Sequence, residues 1–175
     1  MCRPLAKFIC IVTLLLAFAF SSAAQPVQLK DAAILVSPSV PSAMQTTISQ
    51  VLSEEIAKRT GIVLKNGDNW PKKRTAVVAL VLSSDKQLMG TAVPAGNNTD
   101  GPEYKKEGFR VVSSVSAKGT AVWIIGADSR GILFGAGWLL RNLTMGRNLL
   151  QLDEPADIAS SPAYPIRGHQ LGYRT

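Results

Sequence analysis

The sequence predicts an α+β domain: a mixed, mainly antiparallel sheet with two helices packed on one face. Three segments carry this prediction. The stretch "AMQTTISQVLSEEIAKRTG" places Met44, Ile48, Val51, Leu52 and Ile56 on one face at helical spacing. The stretch "SRGILFGAGWLLRNL" is a second helix with a broader apolar surface. Between them, "GFRVVSSVSAKGTAVWIIGA" reads as a β-hairpin, two apolar or alternating runs joined at Ala117-Lys118-Gly119. With the remaining short apolar runs, the order is β-α-β-β-loop-β-β-α-β, which suits helices gathered on one side of a sheet.

Each element has a local reason. Ala32 to Val36 is short, apolar and partly β-branched, as in a buried strand. "SPSVPS" follows as a loop, with Ser42 as the expected N-cap of the first helix. Lys58 and Arg59 in its last turn suit the helix dipole, and Gly61 is the expected stop. Ile62 to Leu64 is a second short strand, and Thr75 to Ser84 is an almost wholly apolar one, buried on both faces. Asp85 to Glu107 has Gly, Pro and Asn but no periodicity, and reads as a long surface loop. Asp128 or Ser129 caps the second helix, and Asn148 to Leu152 is a final strand.

The first 24 residues stand apart. Arg3 and Lys7 precede the uncharged run "FICIVTLLLAFAF", and Ser22 and Ala24 hold the small-residue positions of a cleavage site. This is the pattern of a secretory signal peptide, too short to be a comfortable membrane span. The expected product is therefore secreted or periplasmic, with no membrane partner after cleavage. Cys2 and Cys10 leave with that peptide, so residues 25–175 carry no thiol, no disulfide and no cysteine metal site. The chain is basic, with 19 Lys and Arg against 12 Asp and Glu, but Lys72-Lys73-Arg74 is the only tight run. Scattered loop charge on an exported chain points to solvated surface and to no nucleic-acid partner.

The second helix is apolar over more than one stripe. Ile132, Ala136, Leu139 and Leu143 form one line, Phe134 and Trp138 a second flank, and Leu133 and Leu140 a third. One stripe can cover the sheet; the others need a further neighbour. Gly131, Gly135 and Gly137 each cost about 1 kcal/mol against Ala in a helix, and make sense where a backbone comes close. Phe134, Trp138 and Leu140 are therefore the expected contact surface for a second domain, with cover from loops of the same domain as the alternative.

The residues offer no catalytic set. His169 is the single histidine, and no GxSxG or HExxH occurs, so neither a histidine metal cluster nor a hydrolase triad is indicated. "GADSRGILFGAG" opens a helix after a strand but lacks both nucleotide-binding glycine patterns. Glu54 and Glu55 are adjacent on an outward helix face, and Asp153, Glu154 and Asp157 flank a proline-rich linker, so none forms a facing carboxylate pair. No catalytic residue, cofactor or metal is expected. Asn97-Asn98-Thr99 and Asn142-Leu143-Thr144 are glycosylation sequons; Asn142 is expected on a buried helix end and so not to be used.

The stretch "GFRVVSSVSAKGTAVWIIGADSRGILFGAGWLLRNL" resembles the N-terminal domain of family 20 glycoside hydrolases, the β-N-acetylhexosaminidases, and equally that of the related α-glucuronidases. The residues that match are Ala127-Asp128, Gly131, Phe134-Gly135 and Leu139 with Leu143. The resemblance implies a zincin-like, non-catalytic α+β domain over residues 25–153, a linker over 154–165, and the start of a truncated (β/α)8 barrel at 166–175. It implies that the barrel, absent here, is the partner that covers the second helix and binds the carbohydrate. Arg167, in "YPIRGHQLGYR", matches the family arginine that binds a sugar hydroxyl, whereas the family carboxylate five residues on is Gly172 here. By that resemblance the parent is a glycosidase and the 175-residue chain is inactive alone. The alternative is a complete secreted module that binds glycan or protein through Phe134 and Trp138.

Overall fold

The computed structural model describes residues 25–72, 74–96, 101–116 and 119–164. The expected signal peptide, Arg167, His169 and the expected start of a barrel lie outside the described residues.

Eleven strands and two α-helices are present among them. In chain order they are β1 (Val27–Gln28), β2 (Ala33–Val36), α1 (Ser42–Thr60), β3 (Lys65–Asn66), β4 (Val77–Leu82), β5 (Gln87–Leu88), β6 (Thr91–Ala92), β7 (Phe109–Ser116), β8 (Gly119–Gly126), α2 (Ser129–Asn142), β9 (Leu143–Gly146), β10 (Leu149–Leu152) and β11 (Asp157–Ser160). A single 3-10 turn, Pro102–Tyr104, precedes β7.

The main sheet has the order β11-β7-β8-β4-β2-β3. Its half nearest β11 is antiparallel, and the half from β8 to β3 is parallel. A three-stranded antiparallel sheet, β1-β10-β9, and the β5-β6 hairpin complete the strands, so antiparallel pairing prevails across the molecule. The class is α+β as expected, and the hairpin is the one read from the sequence.

Both helices lie on one face of the main sheet. Ile48, Leu52 and Ile56 of α1 and Ile132, Ala136 and Leu139 of α2 share one buried cluster with Ile34, Val78, Leu80, Val111, Val122 and Ile124 of the sheet. The opposite face, Leu35, Val77, Ala79, Val81 and Trp123, is covered without helices. There Trp70 stacks on Trp123 with ring centroids 5.5 Å apart, and Leu88 of the β5-β6 hairpin closes the cluster. β4 is thus buried on both faces, which is why its sequence shows no alternation.

Several boundaries differ from expectation for identifiable reasons. Ser42 is not the N-cap of α1. Pro41 occupies that position with no side-chain cap, and Ser42 is already helical. Gly61 does end the helix in the left-handed conformation, φ 75°, its N–H donating to the Ala57 carbonyl. Ile62 to Leu64 is not a strand. Ile62 and Leu64 are buried while Val63 is 69% exposed, so the alternation is real, but ladder pairing starts only at Lys65. Leu143 leaves the helix and opens β9, which pairs with β10. The 85–107 stretch holds the β5-β6 hairpin and the 3-10 turn. Finally, residues 157–160, inside the segment read as a linker, form β11 and extend the sheet beside β7.

Candidate functional site

The sequence points to the outer side of α2, and the structure sets out what holds it. Asp128 is the N-cap. Its Oδ1 accepts from the Gly131 N–H at 2.8 Å and its Oδ2 from the Glu107 N–H at 2.9 Å. One carboxylate thus satisfies a helix terminus and ties the loop before β7 to it. Arg130 pairs with Glu107 across the same junction at 2.7 Å.

Two of the three glycines of α2, Gly131 and Gly135, are there for close approach. A Cβ on Gly131 would collide with the Gly108 carbonyl oxygen, and one on Gly135 would lie 2.5 Å from Ile124 Cγ2. At Gly137 only the flexible end of Arg141 is near, at 3.4 Å, so close packing does not explain that glycine.

The three apolar flanks of α2 have different fates. The inner line, Ile132, Ala136 and Leu139, is fully buried on the sheet. Leu140, expected on an interdomain surface, is 8% exposed and lies in the chain's own core. Leu140 belongs to the same buried cluster as residues of α1, of the main sheet, and of β1 and β10 (Val27, Leu150 and Leu152), the last two strands being only partly foreseen. Leu133, Phe134 and Trp138 are half-buried, packed at the edge of the core. Along them runs a groove of about 620 Å³ between α2 and the outgoing chain from Ile158 to Ala163. Phe109 and Arg141 also line it.

β11 fixes the far wall of that groove. Arg110, almost fully buried, holds Asp157 with a two-pronged pair at 2.9 and 3.1 Å, and its third nitrogen donates to the Ala95 carbonyl. Ser113 and Ala156 exchange backbone and hydroxyl hydrogen bonds beside it. The Arg110–Asp157 pair was not read from the sequence; its partners are 47 residues apart and only the β7–β11 register joins them.

The carboxylates do not gather. Glu54 accepts from Gln50, Glu55 pairs with Arg59, and Asp157 is engaged by Arg110. Asp153 accepts from Thr144 and Gln151, and those two hydrogen bonds, Thr144's first, lower its pKa below the ordinary 3.8. No group of three metal-binding side chains occurs among the described residues. No helix among them is long and apolar enough to cross a membrane. Asn142 is exposed, not buried as expected, because α2 ends at the surface; its side-chain amide donates to the Trp138 carbonyl at 2.8 Å.

No family model and no curated protein matches the chain. Among solved structures, a Flavobacterium johnsoniae chitobiase is similar over 83% of this chain and 20% of its own, with 17% identity and a TM-score of 0.50. A mutant Streptomyces plicatus β-hexosaminidase in complex with its product covers 81% of this chain and 24% of its own, at 13% identity and TM-score 0.47. A GH138 enzyme targeting pectin rhamnogalacturonan II covers 63% and 13%, at 14% identity and TM-score 0.39. The chain therefore spans about a fifth of the chitobiase, and what the two share is a fold, the one anticipated from the resemblance to the family 20 N-terminal domain.

Proposed function

We propose that this chain is the non-catalytic α+β domain of a secreted glycoside hydrolase, β-N-acetylhexosaminidase-like or α-glucuronidase-like, and that its α2 flank docks on the catalytic barrel. The observation that carries this reading is the half-buried line Leu133, Phe134 and Trp138 beside an open groove. Apolar flanks of this kind mark interaction surfaces. The groove wall is built from the chain that leaves the domain, so a barrel placed there by a short connection would meet α2 directly. The fold shared with part of a chitobiase supports the same assignment. In this reading the domain shapes and stabilises the enzyme, and carbohydrate is bound and cleaved by the barrel, with Arg167 among its sugar contacts.

Two measurements test it. The purified 175-residue chain is expected to leave a nitrophenyl N-acetylglucosaminide intact; turnover would overturn the non-catalytic assignment. The DNA following the Thr175 codon is expected to encode an in-frame (β/α)8 barrel. A stop codon there, with no barrel frame downstream, would favour a stand-alone binding module.

A further inference from the structure

A small cavity lies on the face of the main sheet opposite the two α-helices. Arg110 of β7 and Ile125 of β8, cross-strand partners, belong to its lining. So do Val93, Pro94 and Gly96, on the chain that leaves β6, and Glu103 and Tyr104 of the 3-10 turn. The cavity measures about 230 Å³, below the usual scale of about 300–1,000 Å³ for drug-sized ligands, so its occupant must be small.

Glu103 is the anomaly. The 3-10 turn sends it inward, to 4% exposure, while Tyr104 beside it stays 44% exposed. Its carboxylate packs against the backbone at two glycines. A Cβ on Gly96 would lie 2.6 Å from Oε1 and 3.0 Å from the Tyr104 hydroxyl oxygen, and a Cβ on Gly101 would collide with Oε2. The acid is therefore built in, yet Oε2 is buried and receives no hydrogen bond from any described residue. A buried carboxylate is normally paired and hydrogen-bonded, and leaving it bare is costly.

Its neighbours do not cover it. Arg110, the buried cation of the cavity, spends its guanidinium on Asp157 and the Ala95 carbonyl. Asp85, also in the lining, takes hydrogen bonds from the Ser39 hydroxyl and the Leu82 N–H. Lys86 is exposed, and among the described residues no ion pair joins it to Glu103. With Asp157 included, three carboxylates face two basic side chains around the cavity. The missing partner must therefore bring both a donor and positive charge. A water supplies the donor but not the charge. A hard metal ion asks for about six or more oxygens, whereas Val93, Pro94 and Ile125 make much of this wall apolar. An ammonium head on a short aliphatic stem satisfies both requirements. We propose that this cavity binds a small primary alkylamine in its ammonium form, the head on the Glu103 carboxylate and the stem against Val93, Pro94 and Ile125. The site is separate from the α2 groove and independent of the barrel assignment.

The test is a two-dimensional amide NMR titration of the 175-residue chain with n-butylammonium chloride, with n-butanol and calcium chloride as controls at matched ionic strength. Butylammonium should give saturable shifts at Gly96, Tyr104 and Ile125 while Trp138 stays still, and butanol should not. Glu103→Gln keeps the size and removes the charge, and should weaken binding about tenfold to a hundredfold, the effect of one hydrogen bond to a charged group. Lys86→Met, at an exposed position, removes a cation that repels the ammonium and should tighten binding about two- to threefold; it decides the matter if Glu103→Gln fails to fold. The proposal is overturned if butylammonium does not saturate, if butanol moves the same amides as strongly, if calcium chloride acts more strongly, if Glu103→Gln binds as tightly as the parent chain, or if Lys86→Met fails to tighten binding.

Discussion

The two helices lie on the same face of one sheet, yet they are finished differently. α1 has a single buried stripe, Ile48, Leu52 and Ile56, and its other side is polar, with Gln50 donating to Glu54 and Arg59 paired with Glu55. α2 has an inner stripe just as buried, then a flank of Leu133, Phe134 and Trp138 that its own chain covers only in part. Their ends differ too. α1 starts at Pro41 without a side-chain cap and stops on a left-handed glycine, whereas α2 starts on a doubly used aspartate and runs straight into β9. A helix with one stripe needs one surface to lie on. α2 carries more apolar surface than one stripe needs, and its outer flank is only partly covered by the described residues.

The comparison can be broken or sharpened in steps of falling size. Leu52→Ala and Leu139→Ala should each cost about 2–5 kcal/mol in urea unfolding, since both leave cavities in one core. A loss under about 1 kcal/mol at either site would mean that helix is not core. Gly131→Ala comes next. Propensity alone would favour Ala by about 1 kcal/mol, but the Gly108 carbonyl stands in the way, so a net loss of about 1–3 kcal/mol is expected. A gain in midpoint would show that the backbone yields there. Asp128→Ala should cost about 1–2 kcal/mol, while Ser42→Ala at the start of α1 should change little, because Ser42 does not cap. Equal effects would erase the difference between the two starts.

Trp138→Ala should cost about 1 kcal/mol or less in the 175-residue chain, against about 3–5 kcal/mol for a fully buried aromatic. A loss in the upper range would show that the α2 flank is already closed by its own chain. The smallest effect concerns the end of α2. Asp153 has its folded pKa lowered by Thr144 and Gln151, so the stabilisation is present above the unfolded value near 3.8 and fades as pH falls through the folded one. Thr144→Val should move the Asp153 titration upward in a carboxyl NMR series; an unchanged midpoint would remove that hydrogen bond from the account.

What was legible in the sequence follows from periodicity. α1, α2 and the β7-β8 hairpin show their period over eight residues or more and were found where they lie. Short paired segments were not. Val27–Gln28 is two residues long, β9 reads as the tail of a helix, and β11 sits among prolines with mostly exposed side chains, so nothing in their patterns marks burial. The Ile62 to Leu64 stretch shows the converse, correct burial without a ladder. Of the α2 surface, Phe134 and Trp138 stand out as excess apolar residues, but Leu140, expected beside them, is buried in the chain's own core. A crevice of about 1050 Å³ between α1, the exit of β2 and the β5-β6 hairpin could not be read at all. Ser37, Ser49, Asn66 and Asp85 come from four separate segments, and only the parallel order of β3, β2 and β4 brings them together.

The β11 strand also has a mechanical meaning. Because Asp157 is gripped by Arg110 and four residues are laddered to β7, a pull on Tyr164 would load an antiparallel edge before it reached either helix.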